Sequence, residues 1–165
     1  LHSVKDYINT CHSTIAMYVV NRPIFQECQE GDQRRGSMPH LTIEYSDNLE
    51  RLTDMGALCH ALHTAMLASG LFELGAIRVR ARACPHYAVA DLLPENAFAD
   101  LILRIGTGRS EDEKTTLGKA LMRAAEAHFA LQLAAPHFAL SLEVQEISAP
   151  FSWKTNAIHP RLRTT

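Results

Sequence analysis

Two features of this 165-residue chain could carry chemistry: a proline that follows a methionine, and a run of alternating arginines. Small residues after a methionine, proline included, generally permit removal of that methionine. If everything before Pro39 is removed, Met38 included, Pro39 keeps a free secondary amine. An ordinary α-amine titrates at about 7.7–8.0. Such an amine could therefore exchange a proton near neutral pH.

The arginines lie at Arg78, Arg80 and Arg82 and alternate with apolar residues from Ile77 to Ala83. A period of two is typical of a strand that buries one face, so the three guanidinium groups should share the other face. Guanidinium groups bind carboxylates bidentately, which suits a small substrate with two or three carboxylates. The alternative is a solvated outer face whose arginines form salt bridges.

Composition limits the partners of this chain. Its formal net charge of −2 gives no field for a polyanion, so we do not expect nucleic acid as a partner. No apolar run approaches the roughly 18 residues that a membrane span needs, and we expect a cytoplasmic protein without membrane contact. None of the cysteines forms a C-x-x-C pair, and His60 and His63 lack a third ligand. We therefore expect no metal site.

Residues 1–37 differ from the remainder because they show neither helical nor strand periodicity over a useful length. Gly36-Ser37, directly before Met38, resembles a cloning scar. We interpret residues 1–37 as an N-terminal extension of cloning-derived or translated upstream origin, and residues 38–165 as one domain. The alternative is a genuine extension that packs on that domain.

The domain shows strand and helix periodicity in the order β-α-β, loop, β-α-β. Alternation of apolar and polar residues predicts strands at about 41–46, 76–84, 98–105 and 138–145. Each βαβ unit should cross over in the right-handed sense. The sequence therefore predicts an α+β fold: two consecutive βαβ units that form a four-stranded mixed sheet with two helices on one face.

Both helices have recognisable ends. Thr53 or Asp54 should cap the first helix, and Gly70 should close it. The second should begin at the capping box that starts with Ser110 and should continue to about Leu133. Helical spacing predicts that its inner stripe consists of Leu117, Leu121, Ala124, His128 and Leu131.

The sheet face opposite the helices has no cover of its own. The third strand carries Leu101-Ile102-Leu103, which is apolar on both faces, as expected for a central strand. We therefore expect an apolar open face, and such a face predicts an oligomer. The tail, with Phe151, Trp153 and Ile158, is a candidate for contacts with a neighbouring subunit.

Four segments in order carry a resemblance to a known family. They are PHLTIEYSDN at 39–48, GAIRVR at 75–80, IGTGRS at 105–110, and the tail from SLEVQE at 141–146 to WKTN at 153–156. Together with proline after methionine, they resemble the tautomerase superfamily, and more closely its 5-carboxymethyl-2-hydroxymuconate isomerases. The resemblance covers the chain from about Pro39 to its end.

This resemblance implies a cofactor-independent homotrimer whose sheets surround a central channel. It implies conversion of 5-carboxymethyl-2-hydroxymuconate to its keto isomer, in the bacterial degradation of homoprotocatechuate from 4-hydroxyphenylacetate. Pro39 matches the base and Arg78 the arginine that handles substrate, while Arg80 and Arg109 match further arginines expected to bind substrate. Glu44 is a candidate for the same site, where it could assist proton transfer or pair with an arginine.

The implied reaction explains these residue types. Ketonisation removes a proton from oxygen and delivers one to carbon, so a base that then acts as an acid can perform both steps. Burial and nearby arginines should lower the pKa of a free Pro39 amine. The same arginines would hold carboxylates and stabilise a dienolate. Two alternatives stay open: a broad-specificity enol-keto tautomerase, and a non-catalytic oligomeric binding module on the same fold.

Overall fold

The computed structural model describes residues 38–163, so our interpretation of residues 1–37 lies outside the described residues. Four strands and two long helices occur in the predicted order. They are β1 (His40–Ser46), α1 (Met55–Ala68), β2 (Arg78–Cys84), β3 (Ala97–Gly106), α2 (Glu111–His128) and β4 (Phe138–Ile147). Two short helices, α3 (Ala130–Leu133) and α4 (Ile158–Arg163), follow α2 and β4 respectively.

The strands form one sheet in the order β2-β1-β3-β4. β1 is parallel to β2, β3 is parallel to β4, and the central pair β1 and β3 is antiparallel. The predicted mixed sheet of two βαβ units is therefore confirmed. Because of these directions, β1 and β2 begin where β3 and β4 end. We call this end of the sheet the Pro39 end, since Pro39 immediately precedes β1.

Both long helices pack on one face of the sheet, as predicted, and build a common core with it. The largest fully buried side chains of that core are Leu41, Ile43, Leu58, Leu62, Met66, Leu101, Leu103, Ile105, Leu117, Leu121 and Phe129, together with Leu49. Asp54 caps α1 by accepting hydrogen bonds from the backbone N–H groups of Gly56 and Ala57. Gly70 has φ of 69° just beyond α1, a conformation that glycine adopts readily. No helix in the described part of the chain is long and apolar enough to cross a membrane.

The second long helix begins as predicted but ends earlier. Ser110 and Glu113 form the capping box, whereas α2 stops at His128 and the separate helix α3 follows. The predicted inner stripe is wrong at its C-terminal end, because Leu131 is 83% exposed and Phe129 is fully buried. Positions spaced by four residues from Leu117 lead to Phe129, whose ring lies 4.8 Å from that of Phe138.

The expected apolar open face is also wrong. Leu101 and Leu103 both belong to the buried core, so only Ile102 of this triplet faces away from the helices, paired with Thr42 and Glu143. The open face is mostly polar and carries Arg78, Arg80, Arg82, Glu44, Asp100, Arg104, Ser141 and Glu143. Strict alternation along each strand sends its apolar residues to the helices. Because the open face is not apolar, it gives no support to the predicted oligomer.

The corrected stripe makes a direct prediction about stability. Phe129→Ala should lower the free energy of unfolding by about 3–5 kcal/mol, because it leaves a cavity in the core. Leu131→Ala is the matched control and should change it by less than about 0.5 kcal/mol, since Leu131 is exposed. Urea denaturation measures both values. Equal losses for the two variants would contradict the corrected stripe.

Candidate active site

Pro39 is buried beside the first residue of β2. The backbone N–H of Arg78 donates to the carbonyl oxygen of Pro39 at 3.2 Å, and the next residue, His40, pairs directly with Arg78. Parallel pairing of β1 and β2 therefore brings together Pro39 and Arg78, which are far apart in the sequence. Both predicted catalytic residues lie at the Pro39 end of the sheet.

A cluster of positive charge surrounds His40. In register, His40 lies opposite Arg78 on β2 and Arg104 on β3. Burial lowers the pKa of His40 below 6.5, and the positive charges of Arg78, Arg80, Arg104 and Lys154 lower it further. No carboxylate of residues 38–163 lies within 4.0 Å of the guanidinium of Arg78 or Arg80. The cluster is therefore suited to an anionic ligand.

The side chain of Met38 lies within this site and is only 7% exposed. Its sulfur accepts a hydrogen bond from Nη1 of Arg78 at 2.8 Å. Nδ2 of Asn156, which belongs to the tail after β4, lies 3.6 Å from the same sulfur. Asn156 also donates to the carbonyl oxygen of Gly75 at 3.0 Å. The tail thus returns to the Pro39 end of the sheet.

Two contacts of Glu73 hold the tail in this position. The carboxylate of Glu73 lies 2.9 Å from the guanidinium of Arg163 and 3.0 Å from Nδ1 of His159. The hydrogen bonds from Arg163 lower the pKa of Glu73. Helix α4 also approaches Gly75 closely, since a Cβ atom there would lie 3.2 Å from Nδ1 of His159. The absence of a side chain at Gly75 therefore allows the tail to pack against the start of β2.

Arg109 lies near the same end of the sheet, but its guanidinium contacts other groups of the protein. It is 8% exposed and donates to the carbonyl oxygens of Gly106 at 3.0 Å and Leu71 at 3.3 Å. Its guanidinium carbon lies 4.7 Å above the ring of Phe72. Burial lowers the pKa of Arg109. These contacts join the turn after β3 to the segment after α1, and the substrate-binding role of Arg109 stays a prediction.

Glu44 lies far from Pro39 within one protomer. Glu44 follows Pro39 by five positions along an extended chain, which corresponds to about 16 Å. Glu44 pairs in register with Arg82, and their charged atoms are 3.8 Å apart with both side chains largely exposed. This contact matches the alternative in which Glu44 pairs with an arginine. By contrast, Arg80 belongs to the group of cations that acts on His40.

Several neighbours of Pro39 were not singled out from the sequence. Arg104 falls on the open face by the period of two, so the alternation around Ile102 could have revealed it. Lys154 and Asn156 lie in a tail without periodicity, and no local pattern indicates that it returns to β1. Residues 38–163 contain no cluster of three His, Cys, Asp or Glu side chains placed to hold a metal ion. The polar groups found around Pro39 are guanidinium, imidazole, ammonium and amide groups.

Comparison with known proteins first defines the class. The chain is similar to the solved structure of a fused 4-OT wild type asymmetric trimer, with a TM-score of 0.52, 16% identity, and coverage of 74% of this chain and 98% of the other. At this identity the likeness concerns the fold alone, which is tautomerase-like. A sheet of two βαβ units with a proline before its first strand agrees with this class.

A family model and more similar proteins identify the family to which this chain belongs. The model of the 5-carboxymethyl-2-hydroxymuconate isomerase family matches residues 39–162. A 5-carboxymethyl-2-hydroxymuconate Delta-isomerase of Escherichia coli is 31% identical over 122 residues, which cover 74% of this chain and 97% of that relative. The crystal structure of a 5-carboxymethyl-2-hydroxymuconate isomerase from Deinococcus radiodurans R1 has 42% identity and a TM-score of 0.74, and the match covers 79% of this chain and 98% of that one. The chain belongs to this family and is an isomerase.

The charge cluster predicts how His40 responds to pH. Arg104→Gln should raise the pKa of His40, because it removes one of the positive charges that oppose protonation. NMR titration of the imidazole measures this pKa. Arg51→Gln is the control, since Arg51 is exposed and does not contribute to the shift. An unchanged His40 pKa in Arg104→Gln would contradict the proposed cluster.

The same shift affects stability. Below about pH 6.5 the unfolded chain binds a proton that folded His40 resists, so His40 should make the protein less stable as pH falls through this window. The loss ends once pH drops below the lowered pKa of the folded state. Arg104→Gln should reduce this slope in urea denaturation at several pH values, while Arg51→Gln should leave it unchanged.

Proposed function

We propose that this isomerase converts 5-carboxymethyl-2-hydroxymuconate to its keto isomer, as part of homoprotocatechuate degradation in the cytoplasm. One observation carries the proposal: Pro39 is buried beside Arg78, within a cluster of cations whose arginines Arg78 and Arg80 have no carboxylate of residues 38–163 within 4.0 Å. The names of the matching relatives support the same substrate.

The nitrogen of Pro39 acts as the base in this proposal. It accepts the proton of the dienol hydroxyl, and the protonated amine then returns a proton to carbon of the conjugated system. Substrate and product are isomers, so no co-reactant is needed. The cations that lower the pKa of His40 would also lower that of the adjacent amine, which keeps a share of it neutral at working pH.

The arginines act on the charges of the substrate. Arg78 and Arg80 bind its carboxylates and stabilise the negative charge that develops on the dienolate oxygen. Their position supports this role, because they share one face of β2 with His40 as their neighbour on β1. Arg109 supports the turn beside them and is proposed as a further substrate contact.

We also propose a homotrimer, following the family resemblance. The tail exposes Phe151 at 75% and Trp153 at 87%, and burial against a neighbouring subunit would remove these apolar surfaces from water.

Activity should depend on exposure of the Pro39 amine. Protein that keeps residues 1–38 should have no isomerase activity, because the nitrogen of Pro39 is then part of an amide and has no basic lone pair. Protein that begins at Pro39 should be active, and it should fold because the matching region makes up 97% of the relative from Escherichia coli. Loss of dienol absorbance measures activity, and intact mass identifies each N-terminus. Full activity at the unprocessed mass would refute the mechanism.

The role of Arg78 has a matched control on the same strand. In protein that begins at Pro39, Arg78→Ala should raise KM about 10- to 100-fold, the effect of losing a hydrogen bond to a charged group. Arg82→Ala should change KM less than about twofold, because Arg82 faces Glu44 at the other end of the strand. Light scattering should give the same oligomeric state for both. Loss of assembly in Arg78→Ala would favour a structural role for the arginine.

The same assay separates the alternatives. Turnover of 5-carboxymethyl-2-hydroxymuconate but not of a monocarboxylate enol supports the proposed isomerase. Turnover of both indicates a broad-specificity enol-keto tautomerase. Turnover of neither by protein that begins at Pro39 indicates a non-catalytic binding module.

A further inference from the structure

We infer that Arg78 and Asn156 form a binding subsite for the carboxymethyl carboxylate of the substrate, in the space that the Met38 side chain fills before its removal. This inference rests on the proposed function, since it requires that Met38 leaves. Its starting point is the convergence of two N–H donors from separate elements on one sulfur atom, at 2.8 Å from Arg78 and 3.6 Å from Asn156.

The sulfur is a poor partner for these donors. A thioether accepts hydrogen bonds only weakly, whereas a carboxylate accepts strongly from a guanidinium and from an amide. A methionine side chain and a carboxymethyl group also have the same number of non-hydrogen atoms. The space that Met38 occupies, 7% exposed, therefore suits a carboxymethyl arm in both size and hydrogen-bonding character.

Asn156 is held in place without Met38. Its Oδ1 accepts from the backbone N–H of Ile158 at 2.8 Å, and its Nδ2 donates to the carbonyl oxygen of Gly75 at 3.0 Å. These two contacts fix which end of the amide is nitrogen. The amide nitrogen has a second hydrogen, which is available toward the position of the sulfur. Departure of Met38 thus leaves an oriented donor instead of a flexible side chain.

Arg78 supplies the charge of the subsite. Its Nη1 also lies 3.4 Å from the carbonyl oxygen of Ala76, which keeps the guanidinium near the start of β2. Lys154, two residues before Asn156, contributes positive charge to the same region. The tail therefore contributes Asn156 and Lys154 to the site, and Asn156 adds specificity for a substrate that carries a carboxylate on its side arm.

Two non-reacting probes test this subsite without any turnover. We choose 2-(carboxymethyl)adipate, a saturated tricarboxylate with the carbon skeleton of the substrate, and adipate, which lacks the arm. Isothermal titration calorimetry on protein that begins at Pro39 should show tighter binding of the tricarboxylate. The full chain, in which Met38 fills the subsite, should not distinguish the two probes.

Asn156→Asp should weaken binding of the tricarboxylate about 10- to 100-fold, because it replaces a donor to a charged group by a like charge. Binding of adipate should change less than about twofold. Asn156→Ser removes the donor without adding charge and keeps an oxygen for the N–H of Ile158, so it should show the same selectivity with a smaller loss. Gln132→Glu is the control, since it also replaces an amide that donates to a backbone carbonyl, at 3.2 Å.

Trp153 is the only tryptophan of the chain, and its emission reports whether the tail has moved. Selective loss of the tricarboxylate with unchanged emission supports the subsite. Equal loss of both probes, or no loss of either, overturns it. Selective binding of the tricarboxylate without turnover of the substrate would support the subsite and contradict the proposed function. Turnover by the wild-type protein, together with Asn156 variants that lose both probes equally, would contradict the subsite and support the proposed function.

Discussion

The site depends on the parallel register of β1 against β2, in which the backbone N–H of Arg78 donates to the carbonyl oxygen of Pro39. A slip of one residue would turn the arginines of β2 toward the core and its apolar residues toward solvent. The core prevents such a slip, since Leu41 and Ile43 must pack under α1 and α2. Packing of the core therefore brings Pro39 and Arg78 together, although neither residue belongs to that core.

The same register concentrates positive charge. Arg78, Arg80 and Arg104 share the open face with His40, and like charges in proximity oppose folding. The buried core on the other face of the sheet offsets this repulsion. Where Glu44 faces Arg82, the charges are paired, as on an ordinary solvated surface. The two ends of β2 therefore differ: Arg78 and Arg80 have the proposed binding role, whereas Arg82 pairs with Glu44.

The tail adds a second constraint. Glu73 binds both His159 and Arg163, and Gly75 permits close approach of α4. These contacts carry Asn156 and Lys154 to the site from beyond β4. As a consequence, the sulfur of Met38 is contacted both by Arg78 of the sheet and by Asn156 of the tail. A residue destined for removal in the proposed mechanism thus occupies the space where the substrate is expected.

The elements and their order could be predicted from the sequence, because alternation and helical spacing follow directly from which face of each element is buried. The sequence also predicted the caps at Asp54 and Ser110, which depend on local hydrogen bonds. The packed structure was needed to show that Phe129 and not Leu131 closes the core, and that the open face is mostly polar. The same structure places Arg104 opposite His40 and Asn156 beside Met38, and it places Glu44 away from both. Strand register and the path of an aperiodic tail arise from contacts between distant segments, which no local pattern encodes.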